Sequence, residues 1–363
     1  MVLTYRTTCE LPAAGVNVRK ETGESQIMNE TFRRAKSMTR PSWPLVSVAA
    51  VASTVLLAAC GGGSSATPAA ADATSTITVG VPAAITADAV TIAQQQGFFT
   101  NNHLKVNVKT VNGGSDSVPA LQGGAIQVAQ SNVFSEIQGA TNGLDVPCFA
   151  GASGIPTNGT PLPLLASPKA AITKPADLVG KTIAVNATGG VNELMTRAWL
   201  GAQGVDYTKV KFISTPFPNM PQVLSTGQVA AAVPVDPFAT QMLGNGAQLL
   251  VSDLEANIEG RPLYACWNAT SDWLSKNPQV AKSFVAAIQQ ANDYINSQPA
   301  RFRAFVVQDS KIPAPVVEKI SIPLFTTTMS AADVHAWVAA GEKYGILKDT
   351  TVDVAKVYRP LTG

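Results

Sequence analysis

The sequence predicts an α/β protein with two Rossmann-like lobes, each built on a mostly parallel sheet, joined by a hinge that the chain crosses twice. Three observations favour this fold. A strand–helix–strand pattern occurs twice, at an offset of 103 to 107 residues. The third unit of each copy carries the same short motif, and helical segments follow the second copy. A length of 363 residues provides enough interior for two domains.

The composition is that of a globular chain that is nearly neutral beyond its N-terminal segment. Hydrophobic residues make up 46% of the chain and charged residues 14%. Residues 1–59 contain seven basic and four acidic residues, which leaves 19 basic and 20 acidic residues for the remainder. Because no basic surface is available for a phosphate backbone, we expect no nucleic acid partner.

The first 59 residues have the pattern of an export signal that follows an upstream segment. Four basic residues between Arg33 and Arg40 precede an uncharged stretch at 45–59. That stretch is too short to span a membrane, and it suits the apolar region of a signal peptide. Because no export pattern precedes it, we expect translation to start at Met28 or Met38.

The signal ends in a sequence that resembles a bacterial lipobox, Leu57-Ala58-Ala59-Cys60. The resemblance implies that Cys60 becomes the mature N-terminus and carries a lipid, which holds the protein at the extracytoplasmic face of a membrane. An ordinary cleaved signal with an incidental cysteine is the alternative. The Gly/Ser-rich and Ala/Thr/Pro-rich residues 60–76 predict a flexible tether.

The two copies of the repeat predict the same elements in the same order. The first copy has strands at 77–81 and 106–111 around a helix at 88–96. The second copy has strands at 182–185 and 210–214 around a helix at 191–202. Each third unit contains Leu-x-x-Gly-x-(Ile/Val)-x-x-Ala. We expect its glycine, Gly124 or Gly227, to end a helix in the left-handed conformation before a buried strand.

The segments outside the repeat predict how the lobes are divided. An extended stretch at 164–166 leads into the second lobe, and a second crossing near 259–263 returns the chain. Helices are predicted at 271–274, 278–297, 315–320 and 331–344, the last with Ser330 and Asp333 as a capping box. We therefore predict lobe I at 77–163 with 260–363, and lobe II at 164–259. Two lobes joined in this way can close about their hinge.

Two cysteines, Cys148 and Cys266, remain after Cys9 and Cys60 are set aside. They lie in two strand-like runs, and an oxidising compartment would permit a disulfide between them. The alternative is two buried cysteines that never meet, since the sequence does not give their separation. No Cys-x-x-Cys or other metal-type spacing occurs, so we expect neither a metal nor a cofactor.

A ligand in an open α/β fold binds beyond the carboxyl ends of the strands, so the residues that follow the predicted strands are the candidates for ligand contact. These candidates are Thr86, Asp88, Ser115, Asp116, Ser131, Asn132, Phe134, Thr188, Gly189, Gly190, Asn219, Asp236 and Phe238. For the polar residues the alternative is a helix cap or a tight turn, and for the aromatic residues it is the hydrophobic core.

The candidates leave the chemistry of the ligand open. Free amides at the starts of the helices after Gly114 and Gly190 could hold a carboxylate or a sulfonate. The Asp236 carboxylate would instead favour an amine or a ring N–H. No Arg or Lys stands among the candidates, which argues against an anion held by a salt bridge.

Four segments resemble, in order, motifs of the NMT1/THI5-like family, the substrate-binding proteins of nitrate/sulfonate/taurine-type ABC importers. Residues 93–106 are similar to A-x-x-x-G-F-F-x-x-x-G-L-x-V, with His103 in place of the second motif glycine. Residues 169–181 resemble the family's x-D-L-K-G-K opening of lobe II. Residues 224–238 resemble its A-L-x-x-G-x-V-D-A-A-x-x-x-E-P-F segment, and residues 277–280 resemble its N-P-E-x-V segment.

The resemblance implies a periplasmic binding protein type II fold and a lipid-anchored, exported, monomeric protein. Such a protein would deliver a small organic solute to the permease and ATPase of an ABC importer. Motifs of common hydrolases and nucleotide-binding enzymes are missing, and His103 and His335 are the only histidines. We therefore expect no catalysis. The alternatives are an enzyme of thiamine-pyrimidine precursor synthesis on the same fold, and a lipoprotein sensor.

Overall fold

The computed structural model describes residues 74–112, 114–156, 161–310, 312–348 and 351–361, with the side chains of Gly114, Ser115 and Ser310 left undescribed. The predicted signal peptide, Cys60 and residues 60–73 of the predicted tether lie outside this part of the chain. The first strand begins at Ser75, two residues earlier than the sequence pattern predicts.

Strands and helices alternate along the described residues. The strands are β1 (Ser75–Val81), β2 (Leu104–Thr110), β3 (Val128–Asn132), β4 (Cys148–Gly154), β5 (Leu164–Ala166), β6 (Thr182–Val185), β7 (Lys211–Ser214), β8 (Ala231–Ala232), β9 (Gln248–Val251), β10 (Ala265–Asn268) and β11 (Leu324–Phe325). The helices are α1 (Asp88–Gln95), α2 (Phe98–Asn101), α3 (Gly114–Gln122), α4 (Val133–Thr141), α5 (Val191–Ala202), α6 (Met220–Ser225), α7 (Phe238–Gly244), α8 (Ser271–Lys276), α9 (Pro278–Ser297), α10 (Pro299–Ser310), α11 (Ala314–Val317), α12 (Ala331–Lys343) and α13 (Val354–Val357).

These strands form two separate sheets, which confirms the predicted α/β class. One sheet has the order β11-β4-β10-β3-β1-β2, and the other has the order β7-β6-β8-β5-β9. All strands of the second sheet come from the chain between β4 and β10, so the chain passes from one sheet to the other and back. The names lobe I and lobe II are kept below for the parts built on the first and second sheets.

The strand pairing is more mixed than a mostly parallel sheet. In lobe I, β1 pairs in parallel with β2 and β3, whereas β10 lies antiparallel between β3 and β4. In lobe II, β6 pairs in parallel with β7 and β8, whereas β5 is antiparallel to both β8 and β9. The antiparallel strands β5 and β10 are the first strands after the two crossings. Each of these strands therefore enters its sheet at the end next to the hinge, and it is antiparallel to its neighbours.

The observed bounds of the elements agree best with the predicted bounds in the second copy of the repeat. Its strand at 182–185 and its helix at 191–202 are confirmed residue for residue. Gly124 and Gly227 have φ angles of 70° and 79°, so both adopt the predicted left-handed conformation after a helix. The capping box of Ser330 and Asp333 at the start of α12 is also present.

The core of lobe I is organised around Phe284 of α9. Its ring lies 5.0 Å from that of Trp267, 5.8 Å from that of Phe99 and 6.3 Å from that of Phe149, measured between ring centroids. These rings come from α2, β4 and β10, so α9 covers one face of the sheet and joins early and late parts of the chain. Trp267 is fully buried here, which places it in the core and not in a ligand cleft.

Cys148 and Cys266 lie on the neighbouring strands β4 and β10, and the structure joins their sulfur atoms in a disulfide with a Cα–Cα distance of 5.7 Å. Both residues are fully buried. The bond links residues that are 118 positions apart in the chain, and so it fastens the strand that returns from lobe II to a strand that precedes lobe II.

We predict that Gly151→Ala destabilises lobe I by about 1–3 kcal/mol, because a side chain there overfills a packed site. A Cβ atom on Gly151 would lie 2.4 Å from the carbonyl oxygen of Thr328 and 2.9 Å from Leu263 Cδ2. Gly154→Ala in the same strand is the control, since its Cβ would meet no atom closer than 3.5 Å. Thermal unfolding of both variants tests this prediction, and equal midpoints for the two would contradict it.

Candidate ligand-binding site

A crevice lies where the carboxyl ends of the lobe I strands face those of lobe II. In this closed arrangement its cavity volume is about 40 Å³, so the lobes must move apart before a solute larger than a few atoms can enter. Lobe I contributes Pro82, Ala84, Thr86, Asn112, Gln130, Ser131, Asn132, Tyr264 and Ala265, and lobe II contributes Asn186, Phe217 and Val235. Both lobes therefore supply polar and apolar side chains to one enclosed space, as the strand-end rule predicts.

Three of the candidate residues, Thr86, Ser131 and Asn132, line this crevice. Thr86 follows β1, and its carbonyl accepts a hydrogen bond of 2.9 Å from Gln130 Nε2. Asn132 ends β3 and caps α4, because its Oδ1 accepts from the Ser135 N–H at 2.8 Å. Asn132 is thus both a cap and a lining residue, so the two interpretations of it are compatible.

Other candidate residues lie at the N-terminal ends of helices or away from the crevice. Asp116 is exposed, and its carboxylate accepts from the Asn112 N–H and from Asn112 Nδ2, the latter at 2.8 Å. Ser115 belongs to α3, but its side chain is not among those described. Gly190 is the N-cap of α5, and Asn219 is the N-cap of α6 without a side-chain cap bond. Asp116, Gly190 and Asn219 do not line the crevice.

Thr188 and Gly189 lie in a second, more open groove beside α5, together with Glu193 and Arg197. Gly189 has a φ of 69°, and its N–H donates to Glu193 Oε2 at 2.7 Å. The same Glu193 side chain forms a 2.5 Å ion pair with Arg197. The turn at 188–190 therefore contacts a carboxylate of this chain.

The aromatic candidates and Asp88 also lie outside the crevice. Phe134 is fully buried, and its ring lies 6.3 Å from that of Trp337 in the core. Asp88 and Phe238 line a separate pocket that also includes Asp309. Burial and the neighbouring Asp309 carboxylate raise the pKa of Asp88 well above its usual value.

Asp236 ties the two lobes together outside the crevice. Its Oδ1 accepts from the Thr240 N–H at 3.0 Å and from Thr240 Oγ1 at 2.7 Å, and its Oδ2 accepts from the Ser321 N–H at 3.1 Å. Its peptide bond to Pro237 is cis. Burial raises the pKa of this carboxyl group, and the hydrogen bonds from Thr240 and Ser321 oppose that shift.

Five polar or aromatic lining residues were not among the candidates: Asn112, Gln130, Asn186, Phe217 and Tyr264. Asn112 lies two residues beyond the end of β2, and Asn186 is the first residue after β6, so the strand-end rule could have found both. Gln130 lies inside β3, and Tyr264 precedes the antiparallel strand β10. Nothing in the local sequence marks those two positions, because they depend on how the strands pair.

A buried acid lies directly behind the crevice. Ser131 Oγ is hydrogen-bonded to Glu136 Oε1, while Oε2 of the same carboxyl group has no partner among the described residues. Glu136 is almost fully buried on α4. Burial raises its pKa from 4.5 to about 7, against the opposing effect of the hydrogen bond with Ser131.

Three hydrogen bonds that join the lobes flank the crevice. Tyr264 OH donates to Asn192 Oδ1 at 3.1 Å. Gln138 Nε2 donates to the Gly189 carbonyl at 2.8 Å, and Arg197 Nη1 donates to the Tyr344 carbonyl at 3.2 Å. The arrangement described here is therefore a closed one, in which side chains of each lobe reach the other.

The second crossing between the lobes is fastened by Arg261. Its Nη1 lies 2.6 Å from Asp253 Oδ2, and its Nη2 lies 3.4 Å from Glu255 Oε2. Nη2 also donates to the Pro156 carbonyl, at the first crossing, at 3.5 Å. One side chain thus connects both passages of the chain through the hinge.

The described residues contain no group of three or more His, Cys, Asp or Glu side chains that could hold a metal ion. None of the helices in this part of the chain combines the length and the apolar character that crossing a bilayer would require.

Comparison with known proteins gives a consistent result. The model of the family described as NMT1/THI5 like matches residues 87–302. YtlA of Bacillus subtilis (strain 168), a protein whose binding role is itself an inference, is 24% identical over 224 residues. That match covers 60% of this chain and 65% of YtlA, which is less than two thirds of the relative.

Solved structures share the fold at low identity. The alkanesulfonate-binding protein SsuA from Xanthomonas axonopodis pv. citri, bound to MOPS, has a TM-score of 0.67 at 18% identity, over 78% of this chain and 98% of SsuA. The periplasmic nitrate-binding protein NrtA from Synechocystis PCC 6803 has a TM-score of 0.66 at 17% identity, over 78% of this chain and 86% of NrtA. The two lobes therefore have the periplasmic binding protein fold.

We predict that Glu136→Gln stabilises the protein at alkaline pH and has little effect at acid pH. Because the pKa of Glu136 is higher in the folded chain than its ordinary value of 4.5, the folded state binds more protons between about pH 4.5 and pH 7. The wild-type stability therefore falls across that window, by at most about 3 kcal/mol at about 1.4 kcal/mol per pH unit. Glu136→Gln has no ionisable carboxyl group at this position, so its stability does not fall across this pH window.

Chemical denaturation at about pH 5 and pH 8 measures the difference. The exposed carboxylate Glu342, also on a helix, provides the control variant Glu342→Gln. A constant gap between Glu136→Gln and the wild type at both pH values would show that Glu136 is not buried with a raised pKa.

Proposed function

Because the chain belongs to the NMT1/THI5-like family, we propose that it is an extracytoplasmic solute-binding lipoprotein, which captures a small organic molecule in the crevice between its lobes. In this proposal it delivers the molecule to the permease and ATPase of an ABC importer. The observation that carries the proposal is the crevice itself, which is lined by both lobes. The names of SsuA and NrtA describe binding proteins of the same fold, which supports a binding role.

Closure about the hinge is the proposed mechanism. A solute that contacts Thr86 or Asn132 in lobe I and Phe217 or Asn186 in lobe II interacts fully only when the lobes are together. Such a solute favours the closed state by its difference in affinity for the two states. Arg261 holds the two crossings beside one another, so the rotation is limited to a few backbone positions. The proposed lobes are 77–163 with 260–363, and 164–259.

The lining of the crevice supports binding more than catalysis. Its polar groups are amides and hydroxyls, so no lining side chain is suited to general acid or base chemistry near neutral pH. The carboxyl groups of Glu136 and Asp116 do not line the crevice, but each is hydrogen-bonded to a residue that does, Ser131 and Asn112. The enzyme of thiamine-pyrimidine synthesis and the sensor gain no specific support from the lining residues.

We predict that Phe217→Ala lowers the affinity for a bound solute by at least about tenfold, because the ring forms the lobe II wall of the crevice. The solute is first found by a thermal-shift screen, since a ligand at about 100 times its Kd stabilises the folded state by about 2.7 kcal/mol. Calorimetric titration of the hit then compares variants.

Phe212→Ala is the matched control, since Phe212 lies in lobe II but lines the open groove beside Arg197. Equal loss of affinity in Phe212→Ala and Phe217→Ala would place the solute outside the crevice. Unchanged affinity in Phe217→Ala would count against the proposed site.

We predict that Cys60→Ser moves the mature protein from the membrane fraction to the soluble fraction of the cells that produce it. The physical reason is that the lipid on Cys60, with a second acyl chain on the amine, would supply the membrane affinity. Cys9→Ser is the control, because Cys9 lies upstream of the predicted signal. Incorporation of an alkyne-labelled fatty acid measures the modification, and labelling that persists in Cys60→Ser would contradict the prediction.

A further inference from the structure

Among the described residues, no side chain that lines the crevice can neutralise an anion. Its twelve lining residues include no Arg, Lys or His, and its polar side chains are Thr86, Asn112, Gln130, Ser131, Asn132, Asn186 and Tyr264. The nearest arginine on lobe II, Arg197, is paired with Glu193 and donates to Tyr344 in the separate groove. An oxyanion in the crevice would therefore be desolvated without a counter-charge, which is costly.

The other means of holding an anion is a free helix N-terminus, and each of the three helix starts near the crevice has a carboxylate or a backbone partner of this chain close to it. At α3, the Asp116 carboxylate accepts from the Asn112 N–H. At α5, the Glu193 carboxylate accepts from the Gly189 N–H at 2.7 Å. At α4, the Val133 N–H donates to the Tyr264 carbonyl and the Ser135 N–H donates to Asn132.

All three of these helices also carry an acidic residue in the first turn: Asp116, Glu136 and Glu193. These carboxyl groups already interact favourably with the positive ends of the helix dipoles. An anion held by the amides after Gly114 or Gly190 would therefore lie close to the carboxylate of Asp116 or Glu193, which repels it.

Two residues that line the crevice carry a buried hydrogen-bond acceptor without a partner among the described residues. Gln130 is only 1% exposed, and its Nε2 is used by the Thr86 carbonyl, which leaves Oε1 buried with no donor among the described residues. On the opposite lobe, Asn186 Oδ1 is buried without a donor as well. Each such oxygen is unfavourable unless a ligand supplies an N–H or O–H group.

Ser131 adds to this arrangement. Its hydroxyl is hydrogen-bonded to Glu136. When Glu136 is ionised it accepts a hydrogen bond from the Ser131 hydroxyl, so that Ser131 has only lone pairs left for a ligand. Phe217, Tyr264 and Val235 supply apolar walls around these polar atoms.

We propose that the solute is a compact, non-anionic molecule with N–H donors on two sides, such as an amide, an amidine or an amino-substituted ring, and that Gln130 and Asn186 select it. This assignment rests on the proposed function, because it assumes that a solute occupies the crevice. One N–H group meets Gln130 Oε1 in lobe I, and another meets Asn186 Oδ1 in lobe II. The two contacts come from opposite lobes. A solute with an N–H donor on only one side would therefore not hold the two lobes together.

Isosteric probes test the ligand class. Benzamide and benzamidine carry N–H donors on a ring, whereas benzoate and benzenesulfonate carry an oxyanion on the same ring. Calorimetric titration and thermal shift at millimolar concentration are expected to show binding of the two N–H probes at least about tenfold tighter than that of the two anions.

The variant Asn186→Asp sharpens the test. It replaces a neutral acceptor by a charged one, so the affinity for benzamidine should rise about tenfold while that for benzoate falls. Asn245→Asp is the control, since Asn245 is exposed at the end of α7, away from the crevice lining, and should change neither affinity. If Asn186→Asp fails to fold, Gln130→Glu introduces a charged acceptor from lobe I, and it also removes the Nε2 group that donates to the Thr86 carbonyl.

The outcomes separate the two proposals. Tighter binding of benzoate or benzenesulfonate that is lost in Asn186→Asp would overturn the ligand class and leave solute binding in the crevice intact. Binding of benzamidine that neither Asn186→Asp nor Gln130→Glu alters would also overturn the class, because the probe would lie elsewhere. Failure of every probe to bind would count against both the ligand class and the crevice as a solute site.

Discussion

The antiparallel insertion of β10 between β3 and β4 is the constraint on which the site depends. This strand is the first of lobe I after the chain returns from lobe II, and Ala265 pairs with Asn132 at the carboxyl end of β3. Tyr264 and Ala265 therefore reach the crevice, while Trp267 reaches the aromatic core beside Phe284. The same strand carries Cys266, whose disulfide to β4 holds it in place. A return strand at the edge of the sheet would leave the crevice without its Tyr264 wall.

The sequence predicts the elements better than it predicts the site, and the reason is geometric. Strands rich in β-branched residues and glycines such as Gly124 and Gly227 are local signals, so both copies of the repeat are identified. Thr86, Ser131 and Asn132 follow or end strands, and they do reach the crevice. Phe134 lies two residues beyond Asn132 on a helix, about 200° around its axis, and therefore points into the core. Gln130 and Tyr264 depend on long-range strand pairing, which no short pattern records.

The electrostatics of the crevice follow from how the chain caps its own helices. A two-lobe fold directs several helix N-termini toward the space between the lobes, and such ends attract anions in general. Here acidic residues, Asp116 and Glu193 among them, lie in the first turns of those helices and repel a bound anion. The fold is shared with proteins named for anionic solutes, while the solute that we propose for this crevice is not anionic. This is an instance of function being set by the site and not by the fold.

The buried acceptors also link selectivity to closure. In the closed arrangement, the hydrogen bonds of Tyr264 to Asn192, Gln138 to Gly189 and Arg197 to Tyr344 favour contact between the lobes by about 3 kcal/mol in total. The unpartnered oxygens of Gln130 and Asn186 oppose closure by about 2–6 kcal/mol. A ligand that donates to both oxygens removes the opposing contribution, and closure then depends on the same two atoms that recognise the ligand.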